Sequence, residues 1–157
     1  MDKCLRKQYA GSGRIWPGEH PVRVLYAAIC EEASVRNDGR VDLHGVFHEL
    51  YAPRFPARQD DVTLAVAIEW DGAESGDVRF RIDLVDPGGA PVMTISGSTE
   101  VPPFPSGVTP PRTPLVLPMR TLLFPMPGRY RWVLELAGER TVLAPLHLIE
   151  NPADLAF

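Results

Sequence analysis

The chain has 157 residues, of which 45% are hydrophobic and 23% are charged, and its formal net charge is −4. A chain of this length can bury a core of its own, so the fold requires no disulfide, metal ion or cofactor. The weak negative charge argues against nucleic acid or an anionic membrane as a partner. The 17 prolines and 13 glycines indicate frequent turns, which are typical of an all-β chain.

The cysteines and the N-terminal sequence bear on the cellular compartment. Cys4 and Cys30 are predicted to lie in a tail and at the end of a strand, so we expect no disulfide between them. The N-terminal residues lack the apolar segment of a signal peptide, and no apolar run is long enough to span a membrane. We therefore expect a cytoplasmic protein. All basic residues except Lys3 and Lys7 are arginines, which indicates a GC-rich, bacterial genome.

Three regions can be distinguished along the chain. Residues 1–20 are polar and are interrupted by Gly11 and Gly13, which predicts a flexible N-terminal extension. The domain is predicted over residues 21–150, and residues 151–157 are predicted to form a C-terminal tail.

The first two predicted strands form a hairpin. Residues 22–30 are apolar, and the turn sequence Asn37-Asp-Gly39 leads into a return strand over residues 40–50. Alternation makes one face of the return strand apolar and the other largely polar.

Apolar and polar residues also alternate in three segments in the middle of the chain, residues 62–70, 78–84 and 91–99. Tight turns separate these segments, so we predict three consecutive strands in a meander. A proline-rich connection over residues 102–114 follows, because closely spaced prolines are incompatible with a helix or a central strand. Residues 115–124 are apolar but contain Pro118, which predicts an edge strand or a bulge.

The last predicted element is a long hairpin over residues 125–149. Its first strand alternates apolar residues with charged ones, and Ala137-Gly-Glu139 supplies the turn. The sequence Gly128-Arg-Tyr130 at its start is typical of immunoglobulin-like domains, in which a tyrosine hydroxyl ties the strand to a nearby loop.

About eight strands with regular turns predict an all-β fold, in the form of a two-sheet antiparallel β-sandwich that is immunoglobulin-like or jelly-roll-like. The residues predicted to point inward are Val24, Tyr26, Leu43, Phe47, Leu64, Val66, Ile68, Trp70, Phe80, Ile82, Leu84, Tyr130, Trp132 and Leu134.

The first hairpin also carries a resemblance to a known family. Cys30-Glu-Glu, the segment Asp38-Gly-Arg-Val-Asp-Leu-His-Gly-Val-Phe47 and the pair Pro53-x-x-Pro56 resemble an uncharacterised family of small bacterial β-sandwich proteins, a domain of unknown function. The resemblance extends over about residues 22–150. It implies a β-sandwich fold and brings no catalytic residue.

The polar face of the return strand is the candidate site for chemistry. Asp42, His44 and His48 are expected to project from it. Such a face would suit a metal ion, but Val46 lies between the histidines and places them too far apart to share one ion easily. A solvated or ligand-facing polar patch is therefore favoured over a metal site.

Cys30 is the other candidate, as a nucleophile beside a histidine of the neighbouring strand. Glu31 and Glu32 adjoin it and disfavour the thiolate, so a buried and slowly reacting thiol is expected. The sequence lacks the motifs of serine hydrolases, phosphate-binding loops, dinucleotide-binding folds and cysteine zinc sites, and we expect no enzyme activity.

Three functional hypotheses remain open. The leading one is a non-enzymatic module that binds another protein or a second copy of itself through a sheet face or edge. The apolar residues 115–124 and the tail end at residues 155–157 predict self-association, by packing of a face or exchange of the tail rather than by a continuous sheet across the copies. The second is a small-ligand or carbohydrate-binding module that uses Trp16, Tyr51 or Phe104. The third is a metal-dependent hydrolase built on Asp42, His44 and His48.

Overall fold

A computed structural model describes residues 22–70, 76–102 and 109–152, and these residues form eleven β-strands and no α-helix. The chain is therefore all-β, as predicted. The predicted N-terminal extension and most of the tail lie outside the described residues. The strands are β1 (Val22–Val35), β2 (Val41–Val46), β3 (Glu49–Ala52), β4 (Ala57–Gln59), β5 (Val62–Trp70), β6 (Asp77–Val85), β7 (Pro91–Glu100), β8 (Arg112–Met119), β9 (Leu122–Phe124), β10 (Gly128–Leu136) and β11 (Glu139–Glu150).

The described strands form three sheets rather than two. Sheet A has the order β2-β1-β5-β8, sheet B has the order β3-β11-β10-β6-β7, and sheet C is the pair β4-β9. All pairings are antiparallel except that of β3 with β11, which is parallel. The strand count exceeds the predicted eight because β3, β4 and β9 have only three or four residues each. Alternation over so few residues is too short to identify a strand.

One apolar cluster takes side chains from all three sheets. Trp70 of sheet A, Trp132 of sheet B and Phe124 of sheet C are all fully buried in it. The residues of β5, β6 and β10 that were predicted to point inward belong to this cluster, while Val24 and Phe47 pack against it half-buried.

Tyr26 is an exception among the predicted core residues. Val24 pairs with Ile68 but Tyr26 pairs with Ala67, so β1 has an extra residue, Leu25, at this point. Such a bulge inverts the alternation of all residues after it. Tyr26 is consequently 40% exposed, and the prediction that it lies in the core is wrong.

The predicted return strand over residues 40–50 is in fact two strands in different sheets. The N–H of Phe47 donates to the carbonyl of Ile29 in sheet A at 2.9 Å, and the carbonyl of His48 accepts from the N–H of His147 in sheet B at 2.9 Å. The chain therefore crosses from sheet A to sheet B between these two residues. The predicted meander is also wrong, because β5 lies in sheet A whereas β6 and β7 pair in sheet B.

The end of the β1–β2 hairpin lies over the outer face of sheet A. Arg40 and Val41 line one cavity together with Tyr26 and Pro114 of that face. Ala65, which points to the same outer face, is fully buried. The central strand β5 is thus covered on both sides.

The C-terminal hairpin predicted over residues 125–149 is confirmed, whereas the element predicted over residues 115–124 is divided between β8 and β9, which lie in different sheets. β10 and β11 form a hairpin whose turn residues Ala137 and Gly138 both have positive φ, the conformation of a type I′ turn. β8 is an edge strand of sheet A and contains Pro114 and Pro118. It ends at Met119, and the chain then continues into β9 of sheet C.

Candidate functional site

The structure keeps two residues of the predicted polar face together and separates the third from them. Asp42 and His44 lie on β2, whereas His48 lies beyond the end of that strand, at the crossing to sheet B. Asp42 is held by Arg36, whose Nε and Nη2 donate to its two carboxylate oxygens at 2.7 and 2.6 Å. These hydrogen bonds lower the pKa of Asp42. Among residues 22–70, 76–102 and 109–152, no cluster of three or more histidine, cysteine or carboxylate side chains is suited to hold a metal ion.

Cys30 is fully buried and its thiol donates to the carbonyl of Thr63 at 3.6 Å. Burial raises the pKa of Cys30. A thiol with a raised pKa is protonated at neutral pH and is a poor nucleophile. The geometry therefore fits a structural role for Cys30.

The most unusual surface is the edge of sheet B at β7. This strand pairs with β6 from Pro91 opposite Val85 to Glu100 opposite Asp77, with one register shift at Val92, and has no partner on its other side in the described part of the chain. No charged residue occurs from Pro91 to Thr99. A long, uncharged edge strand offers its free N–H and C=O groups to another strand. We call β7 the open edge.

Two contacts fix the open edge against β6. The hydroxyl of Thr94 donates to Oδ1 of Asp83 at 2.5 Å, and Asp83 is also bonded to Arg81. The hydrogen bond from Thr94 is the main cause of a lowered pKa for Asp83, followed by the contacts with Arg81. The ring of Phe80 lies over Gly97, where a Cβ would be only 3.0 Å from the ring. The open edge is thus a rigid part of sheet B.

A cavity of about 490 Å³ adjoins the open edge. Ser96 and Gly97 of β7 line it, together with the apolar side chains of Phe80 and Leu136 and the basic side chain of Arg79. An added strand would place a side chain next to this cavity.

The sequence identified β7 as a strand but not as an edge. The sequence feature that could have drawn attention to this strand is the absence of charged residues from Pro91 to Thr99. Solvent-facing positions of strands usually carry some charged residues, so their absence indicates a surface that is covered by a partner. Of the aromatic residues proposed for ligand binding, Trp16 and Phe104 lie outside the described residues. Tyr51 is exposed on β3 and its hydroxyl donates to Glu49 at 2.6 Å.

No helix in the described residues has the length and apolar character needed to cross a membrane. No curated protein matches the chain. One similar solved structure is the Pseudomonas fluorescens alkylpurine DNA glycosylase AlkC bound to DNA containing an abasic site analog, at 14% identity and a TM-score of 0.36. The match covers 82% of this chain but only 30% of that one, and a likeness of this score carries no argument about function.

The family comparison is more specific. The profile of a family of unknown function (DUF6941) matches residues 25–149, from within β1 to within β11. The match includes the first hairpin, whose sequence carries the resemblance to an uncharacterised family. The chain belongs to this family of unknown function.

Proposed function

We propose that the protein is a non-enzymatic, self-associating module, in which the open edges of two copies pair to join their B sheets. The observation that carries this proposal is the ten-residue strand β7, which is uncharged from Pro91 to Thr99 and unpaired on one side among the described residues. Proteins usually protect such an edge, and an unprotected one is a site for strand addition.

The other edges of sheets A and B support this choice because each has a protective feature. β8 contains Pro114 and Pro118, which cannot donate to a neighbouring strand, and β3 has only four residues. β2 belongs to the hairpin that bends over sheet A, and it carries Asp42 in an ion pair. β7 has a proline only at its first residue and a register shift only at Val92, so its stretch from Met93 to Thr99 lacks such protection, which favours a specific role for β7.

The sequence of the open edge is compatible with antiparallel pairing to itself. Pairing centred on Ile95 places Thr94 opposite Ser96 of the second copy and Met93 opposite Gly97. The ring of Phe80 occupies the space over Gly97, and the flexible side chain of Met93 from the second copy would extend toward the 490 Å³ cavity that adjoins these two residues. No like charges face one another in this register, because Glu100 is the first charged residue after Pro91.

This proposal moves the interface away from residues 115–124, where the sequence predicted it. Leu122 and Phe124 are buried, and Leu115 and Leu117 pack against the core. Their apolar side chains are therefore used within the domain. The tail end at residues 155–157 lies outside the described residues.

The proposal includes the wider setting expected from the sequence. Sheets A and B would be the two layers of an immunoglobulin-like β-sandwich in a cytoplasmic, bacterial protein, with a second copy rather than nucleic acid or membrane as its partner. The shared core of the sheets and the bond between Tyr130 and the preceding loop support the sandwich. The pairing of Asp42 with Arg36 and the buried Cys30 support a role without catalysis.

The first test is the mass of the full chain in solution. We expect a dimer by size-exclusion chromatography with light scattering, and a monomer for the double variant Ser96→Lys/Ser98→Lys. Two added lysines in each copy place four positive charges at the interface between the paired β7 strands, where they repel one another. The control Leu123→Lys/Val142→Lys adds the same charge at exposed positions outside β7 and should remain dimeric.

A distance measurement tests the register. A spin label on Ser98→Cys, in a chain with Cys4→Ser, should give a separation between copies of about 20 Å, since Ser98 and its symmetry mate are offset by about six residues at roughly 3.4 Å each. A monomeric full chain would refute the proposal. A dimer that lacks this distance and persists in the lysine variant would place the interface elsewhere.

A further inference from the structure

The second notable cavity lies between the end of the β1–β2 hairpin and the outer face of sheet A. It has a volume of about 440 Å³, within the range of small-ligand sites. Its lining includes Leu25 and Tyr26 from β1, Arg40 and Val41 from the hairpin, and Arg112 and Pro114 from β8. We call it the hairpin cavity.

The apolar part of the hairpin cavity results from the bulge in β1. The extra residue turns Leu25 and Tyr26 to the outer face of sheet A, where they are 41% and 40% exposed. The neighbouring position on β5 is Ala67, whose small side chain leaves room between Tyr26 and Pro114. Exposed large apolar side chains around a concave surface favour the burial of an apolar ligand group.

The charged part consists of two guanidinium groups on different walls. Arg112 donates through Nε to Glu69 at 3.1 Å, and its other guanidinium nitrogens are not engaged by this hydrogen bond. Arg23 lies 3.7 Å from the same carboxylate and shares it with Arg112. Arg40 lies 3.8 Å from Asp38, which is too long for a hydrogen bond. Both Arg40 and Arg112 therefore retain donors for an additional anion, and guanidinium groups match the geometry of a carboxylate.

Tyr26 adds a neutral polar group. Burial raises the pKa of its hydroxyl. The phenol is protonated at neutral pH and can donate a hydrogen bond without opposing the charge of an anion.

We propose that the hairpin cavity binds a small organic carboxylate, with its apolar body against Leu25, Tyr26 and Pro114 and its carboxylate between Arg40 and Arg112. An inorganic anion would leave the apolar wall unused, and a neutral molecule would leave the two guanidinium groups unused. This site is on sheet A and does not depend on self-association through β7.

The test uses phenylacetate and hexanoate as probes, with phenylacetamide, hexanamide and inorganic phosphate for comparison. Protein-observed NMR titration of the full chain should show saturable shifts at Tyr26, Arg40 and Ala67, with dissociation constants of about 1 mM or lower for at least one carboxylate. The matching amide should bind at least about tenfold more weakly, because it is uncharged and has one acceptor oxygen where the carboxylate has two.

The variant Arg40→Gln isolates the charge, since this side chain is largely exposed and its loss should not affect folding. We expect about a tenfold loss of carboxylate affinity and a clearly smaller loss for the amide, which has no charge to lose a partner for. The control Arg58→Gln removes an exposed arginine of sheet C that is paired with Asp60 and should leave affinity unchanged. Equal binding of phosphate, equal effects of the two variants, or shifts confined to other surfaces would each overturn the proposal.

Discussion

The hydroxyl of Tyr130 donates a hydrogen bond to the carbonyl of Met126 at 2.7 Å and accepts one from the N–H of the same residue at 3.2 Å. The ring is fully buried and meets that of Phe124 edge to face, with centroids 5.1 Å apart. One side chain thus satisfies both backbone groups of the loop that leads into β10. The sequence Gly128-Arg-Tyr130 predicted this bond.

Replacing Tyr130 by phenylalanine should therefore destabilise the fold. The substitution keeps the ring but leaves the N–H and carbonyl of Met126 without this partner, which should lower the free energy of unfolding by about 1–3 kcal/mol. Urea denaturation measures the change. Tyr51→Phe removes a hydroxyl whose hydrogen bond to Glu49 lies at the exposed surface, and it should cost less than about 0.5 kcal/mol. Equal costs would show that the bond to Met126 contributes little.

Gly128 is predicted to tolerate no side chain. Its φ is +132°, and a Cβ there would lie 2.6 Å from Cγ of Pro87, a rigid ring that cannot turn away. We expect Gly128→Ala to lower the free energy of unfolding by about 2–4 kcal/mol. Gly138 also has positive φ, at +78°, but a Cβ there would meet nothing within 4 Å. Gly138→Ala should cost only about 1 kcal/mol, so the difference measures the contact with Pro87.

The two buried tryptophans differ in their indole N–H groups. Nε1 of Trp70 donates to Oγ1 of Thr113 at 2.9 Å, whereas Nε1 of Trp132 has no hydrogen-bond partner in the described structure. Both side chains are fully buried, so Trp→Phe removes the same volume at each site. Only Trp70→Phe also breaks a hydrogen bond, and it should cost about 1–2 kcal/mol more than Trp132→Phe in thermal or urea unfolding. A larger cost at Trp132 would contradict this account.

The bond between Thr94 and Asp83 should make stability depend on pH. It lowers the pKa of Asp83 in the folded state, so the ionised carboxylate stabilises the fold above the unfolded pKa of about 3.9 and this contribution is lost as the pH falls through the folded pKa. Thr94→Val should cost about 1–2 kcal/mol at pH 7, and the cost should shrink below about pH 4. Urea unfolding at pH 7, 5 and 3 checks this, with Thr99→Val, which should show no such trend, as the control on the same strand.

Alternation in the sequence was sufficient to identify the long strands, but not the sheet to which each belongs. β5 and β6 follow one another and both alternate clearly, yet they lie in different sheets. Alternation within a strand indicates which of its faces is buried. It does not indicate which other strand pairs with it, because that strand can lie far away along the chain. The misplacement of Tyr26 has a local cause, because one extra residue in β1 inverts every later position.

One feature of the sequence indicated that the outer face of sheet A, where the hairpin cavity lies, is covered by another element. Of the four outward positions of β5, Thr63, Ala65 and Ala67 are small and uncharged, and only Glu69, near the end of the strand, is charged. A strand with large apolar residues on one face and small ones on the other is typical of burial on both sides. That pattern indicates that another element covers sheet A, although it does not identify the β1–β2 hairpin as that element.

The parallel pairing of β3 with β11 has a consequence for the order in which the molecule assembles. Glu49 pairs with His147 and Ala52 with Glu150, across a separation of about 100 positions along the chain. During synthesis, the hairpins β6–β7 and β10–β11 join neighbouring segments, but β3 has no sheet to enter until the far end of β11 has been made. The crossing at Phe47 and His48 is therefore completed only after β11 has been made, whereas β1 can pair with β5 as soon as that strand is available.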